Sequence, residues 1–339
     1  MDVREFDYIL PKEYIAQSPA GERAASRLLV FDRQKGAIEH RFFRDIPEYF
    51  REGDVLVLND SKVFPARLKA VKETGGKVDI LLVERIDRAG WRCLVNGVKR
   101  GAEGLRVAVG EHAARLEAGE NGWSIRFDDD GDSYDIVRRC GKMPLPHYIR
   151  RNGEDDSIDF ERYQTVYAEH IGSIAAPTAG FHFTEGLVGE LKQKGVSIVK
   201  ITLHIGTGTF LLVKEADVEA HRMHSEYYQV SEEMRACIKE AKESGRRVVA
   251  CGTSSVRTVE TVCPGNGNAR LAGRTELFIY PGYRFRFVDA LITNFHLPRS
   301  TPLLLASAFA GREPLMRCYR EAIEKGYRFY SYGDSMMIL

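Results

Sequence analysis

Apolar residues recur in two rhythms along this chain, and the change of rhythm divides it. Between residues 66 and 140, short apolar and alternating runs are broken by closely spaced glycines: Gly75, Gly76, Gly90, Gly97, Gly101, Gly104, Gly110, Gly119, Gly122 and Gly131. Such runs with turn residues between them predict the hairpins of a small antiparallel sheet or barrel. Trp123, Ile125 and Phe127 alternate with Ser124 and Arg126, which gives one buried and one wetted face, and Gly75-Gly76 suits a tight turn. No helical periodicity stands out here.

Elsewhere the spacing becomes helical. Leu187, Val188 and Leu191 follow the capping residue Thr184, Gly195 stops the run, and residues 196–203 read as a strand. Ser231 caps a second helix with the stripe Met234, Cys237, Ile238 and Ala241, which Gly245 ends before a strand over residues 247–251. Pro314 suits the first turn of a third helix carrying Met316, Tyr319 and Ile323, which ends at Gly326 ahead of a strand over 327–330. Residues 54–58 form an almost continuous apolar run, the pattern of a strand buried on both faces. Together these predict an α/β main domain, a layered sheet with helices and partly barrel-like, built from residues 1–65 and 151–339, with a small all-β barrel inserted at 66–150.

Composition narrows the setting. With 339 residues, 44% hydrophobic and 29% charged, the chain can bury a core and lies outside the disordered regime. A net charge of +1 means that any nucleic-acid contact must come from a local patch. The six cysteines include no Cys-x-x-Cys pair, so neither a disulfide scaffold nor a zinc ribbon is signalled. The start carries no apolar signal region, and the longest apolar stretch, 302–310, is too short to cross a bilayer. The expectation is a cytoplasmic monomer with no membrane partner.

Six of the nine histidines lie between His170 and His296. The spacing of His221, His224 and Glu226 is not that of a zinc helix, so proton transfer or hydrogen bonding to a polar ligand is favoured over a metal, with surface or satisfied histidines as the alternative. The run 251–258 follows a strand, and its Thr253, Ser254, Arg257 and Thr258 can either seat a polar ligand group or simply cap a helix. His204-Ile-Gly206-Thr-Gly208-Thr-Phe210 lets backbone approach a ligand or makes a tight turn; it lacks the third glycine of a dinucleotide fingerprint. Arg138, Arg139, Lys142, Arg150 and Arg151, with Tyr148 among them and no acidic residue, can follow a phosphate backbone or be solvated surface. Ser61, Lys62 and Arg67 directly follow a strand, where a ligand edge or a polar connecting loop are both possible.

Ordered segments across nearly the whole chain resemble one family, the S-adenosylmethionine:tRNA ribosyltransferase-isomerases of the queuosine pathway. They include Asp7-Tyr8, Leu10-Pro11, Ile15-Ala-Gln17, residues 54–68 with Ser61-Lys62-Val63 and Pro65-Ala-Arg67, Gly141-Lys-Met-Pro-Leu-Pro146 and Tyr163-Gln-Thr-Val-Tyr-Ala168. Further on come Ala175-Ala-Pro-Thr-Ala-Gly-Phe-His-Phe-Thr184, Leu203-His-Ile-Gly-Thr-Gly-Thr-Phe210, Met223-His-Ser-Glu226 and Gly252-Thr-Ser-Ser-Val-Arg-Thr258. Phe278-Ile-Tyr-Pro-Gly282, Thr293-Asn-Phe-His-Leu-Pro298 and Ser331-Tyr-Gly-Asp334 complete the set. His147, Ser255 and Phe181 depart from the commoner pattern without touching a charge the chemistry needs.

The resemblance implies an α/β domain with an inserted barrel, and a reaction in which S-adenosylmethionine gives its ribosyl group to 7-aminomethyl-7-deazaguanine at the tRNA wobble position. Epoxyqueuosine forms, and adenine and methionine leave. The sulfonium acidifies the donor's 5′ carbon, so a base is required, and no metal or other cofactor. On this reading His182, His204, His224, Glu226 and His296 carry the proton chemistry, with Glu226 orienting a histidine. Ser61, Lys62, Arg67, Thr178, Gly206, Gly208, Thr253, Ser254, Arg257, Thr258 and Asn294 bind substrate, and Arg138, Arg139, Lys142, Arg150 and Arg151 hold the tRNA. Rival readings are a metal-dependent hydrolase, a conventional methyltransferase and a non-catalytic RNA-binding module.

Overall fold

A computed structural model describes residues 1–98, 104–120, 122–151, 157–206, 208, 212–263 and 270–339. Gly101, Thr207, Thr209 and Phe210, singled out above, lie outside the described residues. The chain begins with β1 (Arg27–Asp32), β2 (Ala37–Phe42), β3 (Val55–Asn59) and β4 (Ser61–Val63). Six strands follow: β5 (Arg67–Lys72), β6 (Lys77–Arg85), β7 (Gly90–Asn96), β8 (Leu105–Val109), β9 (His112–Gly119) and β10 (Gly122–Phe127). Then come α1 (Ser133–Cys140), α2 (Ser157–Arg162), β11 (His170–Ser173), α3 (Glu185–Gln193), β12 (Ser197–Leu203), β13 (Glu226–Gln229), α4 (Glu232–Glu243) and β14 (Val248–Cys251). The chain closes with α5 (Thr253–Val262), β15 (Ala272–Thr275), β16 (Ala290–Asn294), α6 (Thr301–Ala310), α7 (Arg312–Glu324) and β17 (Ser335–Ile338).

Nine strands form one mixed sheet in the order β15-β13-β12-β3-β14-β16-β17-β1-β2, and β5–β10 close into a separate six-stranded antiparallel barrel. At the centre, β12, β3, β14 and β16 are mutually parallel. The pleat explains why these strands are apolar throughout. Val55 and Val57 pack with α4–α7 on one face, while Leu56 and Leu58 pack with α3 on the other. Helix α6 is apolar nearly all round because it is buried nearly all round.

The caps behave as their residue types dictate. Thr184 accepts from the Leu187 N–H and Ser231 from the Met234 N–H, each at 3.1 Å. Gly75, with φ +82°, makes the turn between β5 and β6. Two local expectations are corrected. The stretch read as free of helix ends in α1, because Asp132 caps it by accepting from the Tyr134 N–H at 2.8 Å. Residues 327–330 are not a strand: Phe329 makes one bridge to Ile15, and Asp334 folds the segment back by accepting from the Arg27 and Arg328 N–H groups at 2.9 and 2.8 Å. The last strand is β17, three residues beyond a turn.

Barrel and sheet are joined by stems that cross closely. β4 on the way in pairs in parallel with β11 on the way back, His170 opposite Ser61. At the barrel's mouth Gly141 lies so near Pro65 that a Cβ there would sit 2.0 Å from the Pro65 carbonyl oxygen. Only glycine permits that backbone-to-backbone approach.

Candidate active site

Four parallel strands bring their carboxyl ends together, and the loops that follow line a crevice, the usual ligand edge of an α/β sheet. Ile205 follows β12, Gly252, Thr253 and Ser254 follow β14, and Asn294 and His296 lie at the end of β16; Ala176, Pro177, Thr178 and Ala179 close it from above. Gly252, at φ +88°, turns β14 into α5 and so aims the helix start at the crevice. The runs 176–179 and 252–254 therefore share one pocket, as their hydroxyls and small residues suggest. Behind it Asn59, fully buried at the end of β3, ties the strand ends together. Its Nδ2 donates to the Leu203 carbonyl and the Ser254 Oγ, and its Oδ1 accepts from the Ser61 and Leu203 N–H groups, all at 3.1 Å. Asn59 was not singled out; an amide ending an otherwise apolar strand is the signal that marks it.

A directional chain of hydrogen bonds backs the crevice. The Thr178 hydroxyl donates to Asn294 Oδ1 at 2.8 Å, and Asn294 Nδ2 reaches His182 Nε2 at 3.3 Å. His182 Nδ1 lies 2.7 Å from Ser26 Oγ, which itself donates to the Arg23 carbonyl. Satisfying every member requires a neutral imidazole with its proton on Nδ1. Burial, then the nearby Arg23 and Arg328, push the His182 pKa down to about 3. His182 thus fixes the Asn294 amide and lines no part of the crevice. His296 does line it; burial lowers its pKa to about 3, and its Nε2 meets Thr293 Oγ1 at 2.7 Å.

Beside the crevice, a cleft of about 510 Å³ opens between barrel and sheet. The barrel side supplies Phe64, Trp91 and Tyr134, and the sheet side Ile174, His204 and Tyr227. His204 and Tyr227 stack with ring centroids 5.9 Å apart. The His204 Nδ1 is buried without a hydrogen-bond partner, and burial, then His170, lowers the pKa of the ring. Between cleft and crevice lies a third hollow that shares Ile205 and Glu226 with the cleft and Ile205, Thr253 and Ser254 with the crevice. The three hollows lie side by side and share these walls.

Several expected roles are corrected by what the side chains touch. Glu226 orients no histidine: it accepts from the Gly206 N–H at 2.8 Å and forms a buried ion pair with Arg257. Arg257, expected on a ligand, spends its charge on that pair and donates Nε to the Leu277 carbonyl at 2.9 Å. Thr258 faces back along α5 to the Ser254 carbonyl. Arg67 is held by Asp79 of the barrel, Lys62 is exposed, and Ser61 is fully buried; none of the three lines the crevice or the cleft. His224 is exposed and packs on Gly208, where a Cβ would sit 2.7 Å from its ring. The four histidines are therefore not one cluster. His221 turns to Glu215 at 2.9 Å, so it, His224 and Glu226 point to different partners. Among the described residues, Asp60, Glu169 and His170 bring possible donor atoms within 4.8 Å of one another, but Asp60 already accepts from Thr202 and Glu169 pairs with Lys200.

In the basic stretch, Arg138, Arg139, Lys142 and Arg150 are exposed. Arg138 has a counter-charge, Asp135, at 3.8 Å, and Arg139 donates to the Asp135 carbonyl. Arg151 is committed elsewhere: it grips the fully buried Asp159 with two bonds of 2.8 Å, which a buried carboxylate needs. The local sequence hides Asp159 because it lies eight positions downstream.

Polar strand-end loops, a neutral imidazole network and an adjoining aromatic cleft together have the make-up of an α/β enzyme's ligand site. Residues 3–338 match the family described as queuosine biosynthesis protein, and the chain belongs to that family. It is 49% identical over 342 residues, covering all of both chains, to proteins of Thermotoga petrophila and Thermotoga maritima named S-adenosylmethionine:tRNA ribosyltransferase-isomerase. The crystal structure of the S-adenosylmethionine tRNA ribosyltransferase from Thermotoga maritima covers 99% of this chain and 100% of its own, with 40% identity and a TM-score of 0.57.

Proposed function

We infer that this chain transfers and isomerises the ribosyl moiety of S-adenosylmethionine onto 7-aminomethyl-7-deazaguanine at the wobble position of tRNA, forming epoxyqueuosine and releasing adenine and methionine. The observation that carries the reading is a polar strand-end crevice set beside an open aromatic cleft in a chain that belongs to this family over residues 3–338. The crevice, about 70 Å³, has room for a few polar heavy atoms, which suits the amino-acid end of the donor.

In the crevice Thr178, Thr253, Ser254 and Asn294 bind the donor, and Gly206, which lines the cleft, is held by Glu226. His204 is the base for the 5′ proton. Its ring lines the cleft, and its lowered pKa leaves an unprotonated imidazole available at neutral pH. His182 and His296 act by position, and Arg138, Arg139, Lys142 and Arg150 approach the tRNA backbone. The sulfonium supplies the activation, so the donor is consumed as a substrate and no metal or redox cofactor takes part. We place the reaction in the cytoplasm and on a monomer. No helix among the described residues is long and apolar enough to cross a membrane.

The test is incubation with S-adenosylmethionine and tRNA bearing the deazaguanine, followed by mass spectrometry. Free adenine and a heavier wobble nucleoside are expected. S-adenosylhomocysteine in their place indicates a methyltransferase, and tRNA binding without turnover a non-catalytic module.

A further inference from the structure

We propose that the cleft between barrel and sheet receives one purine-type base of the RNA substrate, turned out of its stack and held between Tyr134, backed by the buried Phe64 and Trp91, and the Tyr227–His204 pair. The proposal rests on the ribosyl-transfer reading and adds where the acceptor sits and which side chains hold it.

A base inside a stacked helix or loop does not expose its reacting group to an enclosed site, so enzymes that modify bases extrude them into a pocket and stack them on aromatic rings. The cleft has the dimensions and walls for this. Its 510 Å³ falls within the range of about 300–1,000 Å³ typical of small-molecule sites. Trp91 and Tyr134 lie nearly parallel, 28° apart, with Phe64 5.3 Å from Trp91; across the cleft the Tyr227 ring is partly exposed and stacks on His204, their planes 19° from parallel. Trp91 is locked by its Nε1–H donating to Ser133 Oγ at 2.9 Å, so this wall is preformed.

The rim carries exposed charged groups that an RNA strand meets on its way in. Of the two carboxylates lining the cleft, Glu226 is engaged by Gly206 and Arg257. Glu84, 44% exposed, accepts from Arg92 and Arg274 at 3.1 and 3.3 Å; exposed pairs of this kind open at little cost, so its carboxylate can take the paired N–H donors of a guanine-like edge, which adenine lacks. Arg85 and Arg274 stand at the same rim with side chains 37% and 53% exposed. Tyr134 lines the cleft from α1, and Arg138, one turn further along the same helix face, is 70% exposed. A strand whose base enters the cleft thus passes a cation suited to its phosphates.

The experiment uses Trp123→Phe, which leaves Trp91 as the sole indole of a chain with two tryptophans. Its fluorescence is titrated with three probes: an anticodon stem-loop bearing 7-aminomethyl-7-deazaguanine, the same RNA abasic at the wobble position, and S-adenosylmethionine alone. Quenching by the first probe only is expected. Tyr227→Ala, which removes an exposed ring and so spares the core, is expected to weaken binding of the base-bearing RNA about tenfold or more while leaving the abasic RNA unchanged. Quenching by S-adenosylmethionine alone assigns the cleft to the donor and overturns the proposal; so does equal binding of both RNAs by the parent protein. Adenine release is followed in parallel. Turnover without base-dependent quenching overturns the cleft assignment only, whereas base-dependent quenching without turnover overturns the enzymatic reading and keeps the cleft.

Discussion

Removing the Glu226 carboxylate strands a guanidinium in the interior, and the structure sets the size of the effect. The Glu226 and Arg257 side chains are 2% and 8% exposed, so water cannot solvate whichever charge is left behind. Breaking such a pair costs about 3–5 kcal/mol, because the survivor keeps its desolvation penalty and loses its counter-charge. Glu226→Met also removes the acceptor of the Gly206 N–H, adding about 1 kcal/mol. Arg257→Met strands the carboxylate instead, which keeps its bond from Gly206, and is expected to cost about 3–5 kcal/mol. The double variant Glu226→Met, Arg257→Met buries no charge and should be less damaging than either single change, giving a coupling energy of about 4 kcal/mol or more. Urea unfolding at pH 7 measures all four corners of the cycle, read as shifts of the midpoint at constant slope. Losses under 1 kcal/mol for both single variants, or a double variant equal to their sum, would refute the claim that this pair is a buried, mutually dependent clamp on the glycine loop.

Four further outcomes follow from the geometry. His182 takes a proton near 6.5 when unfolded but only near 3 when folded, so the unfolded state binds more protons between these values. Its contribution is complete above pH 6.5 and falls by about 1.4 kcal/mol per unit as pH drops, roughly 2 kcal/mol by pH 5; a His182→Gln variant with the same pH slope as the parent contradicts this. Gly172→Ala places a Cβ 2.7 Å from His204 Nε2 at φ +150°, so the ring must move and kcat/KM for adenine release should fall about tenfold or more; unchanged kinetics remove His204 from the chemistry. Arg151→Ala should destabilise the fold by about 3 kcal/mol through buried Asp159. Arg138→Ala with Arg139→Ala should leave the unfolding midpoint alone and flatten the log–log salt dependence of tRNA binding by somewhat under one unit per lost phosphate contact, and the reverse pattern exchanges the two roles.

Local rules carry far in this chain because they act within a turn or a strand. Thr184 and Ser231 cap helices where Ser/Thr types suit an N-cap, and the run at 54–58 is apolar at every step because both faces of β3 are covered. The glycine-punctuated hairpins close as a barrel for the same reason: alternation fixes which face goes inward. The local pattern was weaker where a contact from afar decides, as in residues 327–330, folded back by Asp334, and in α1, short and sequence-adjacent to a barrel.

The site divides along the same line. By itself the sequence determined the residue types at the strand ends, the hydroxyls after β14, and the family-like order of segments that identifies the reaction. Tertiary structure alone decided which of those side chains meet. Glu226 reaches Arg257 across 31 positions, and His182 sits between Ser26 and Asn294, 156 and 112 positions away. Those partnerships follow from the order β12-β3-β14-β16, a product of long-range packing that no local period encodes. Which histidine faces the cleft, which is sealed behind an amide and which lies in water is therefore a property of the folded sheet, since burial and partners, rather than residue type, set what an imidazole can do.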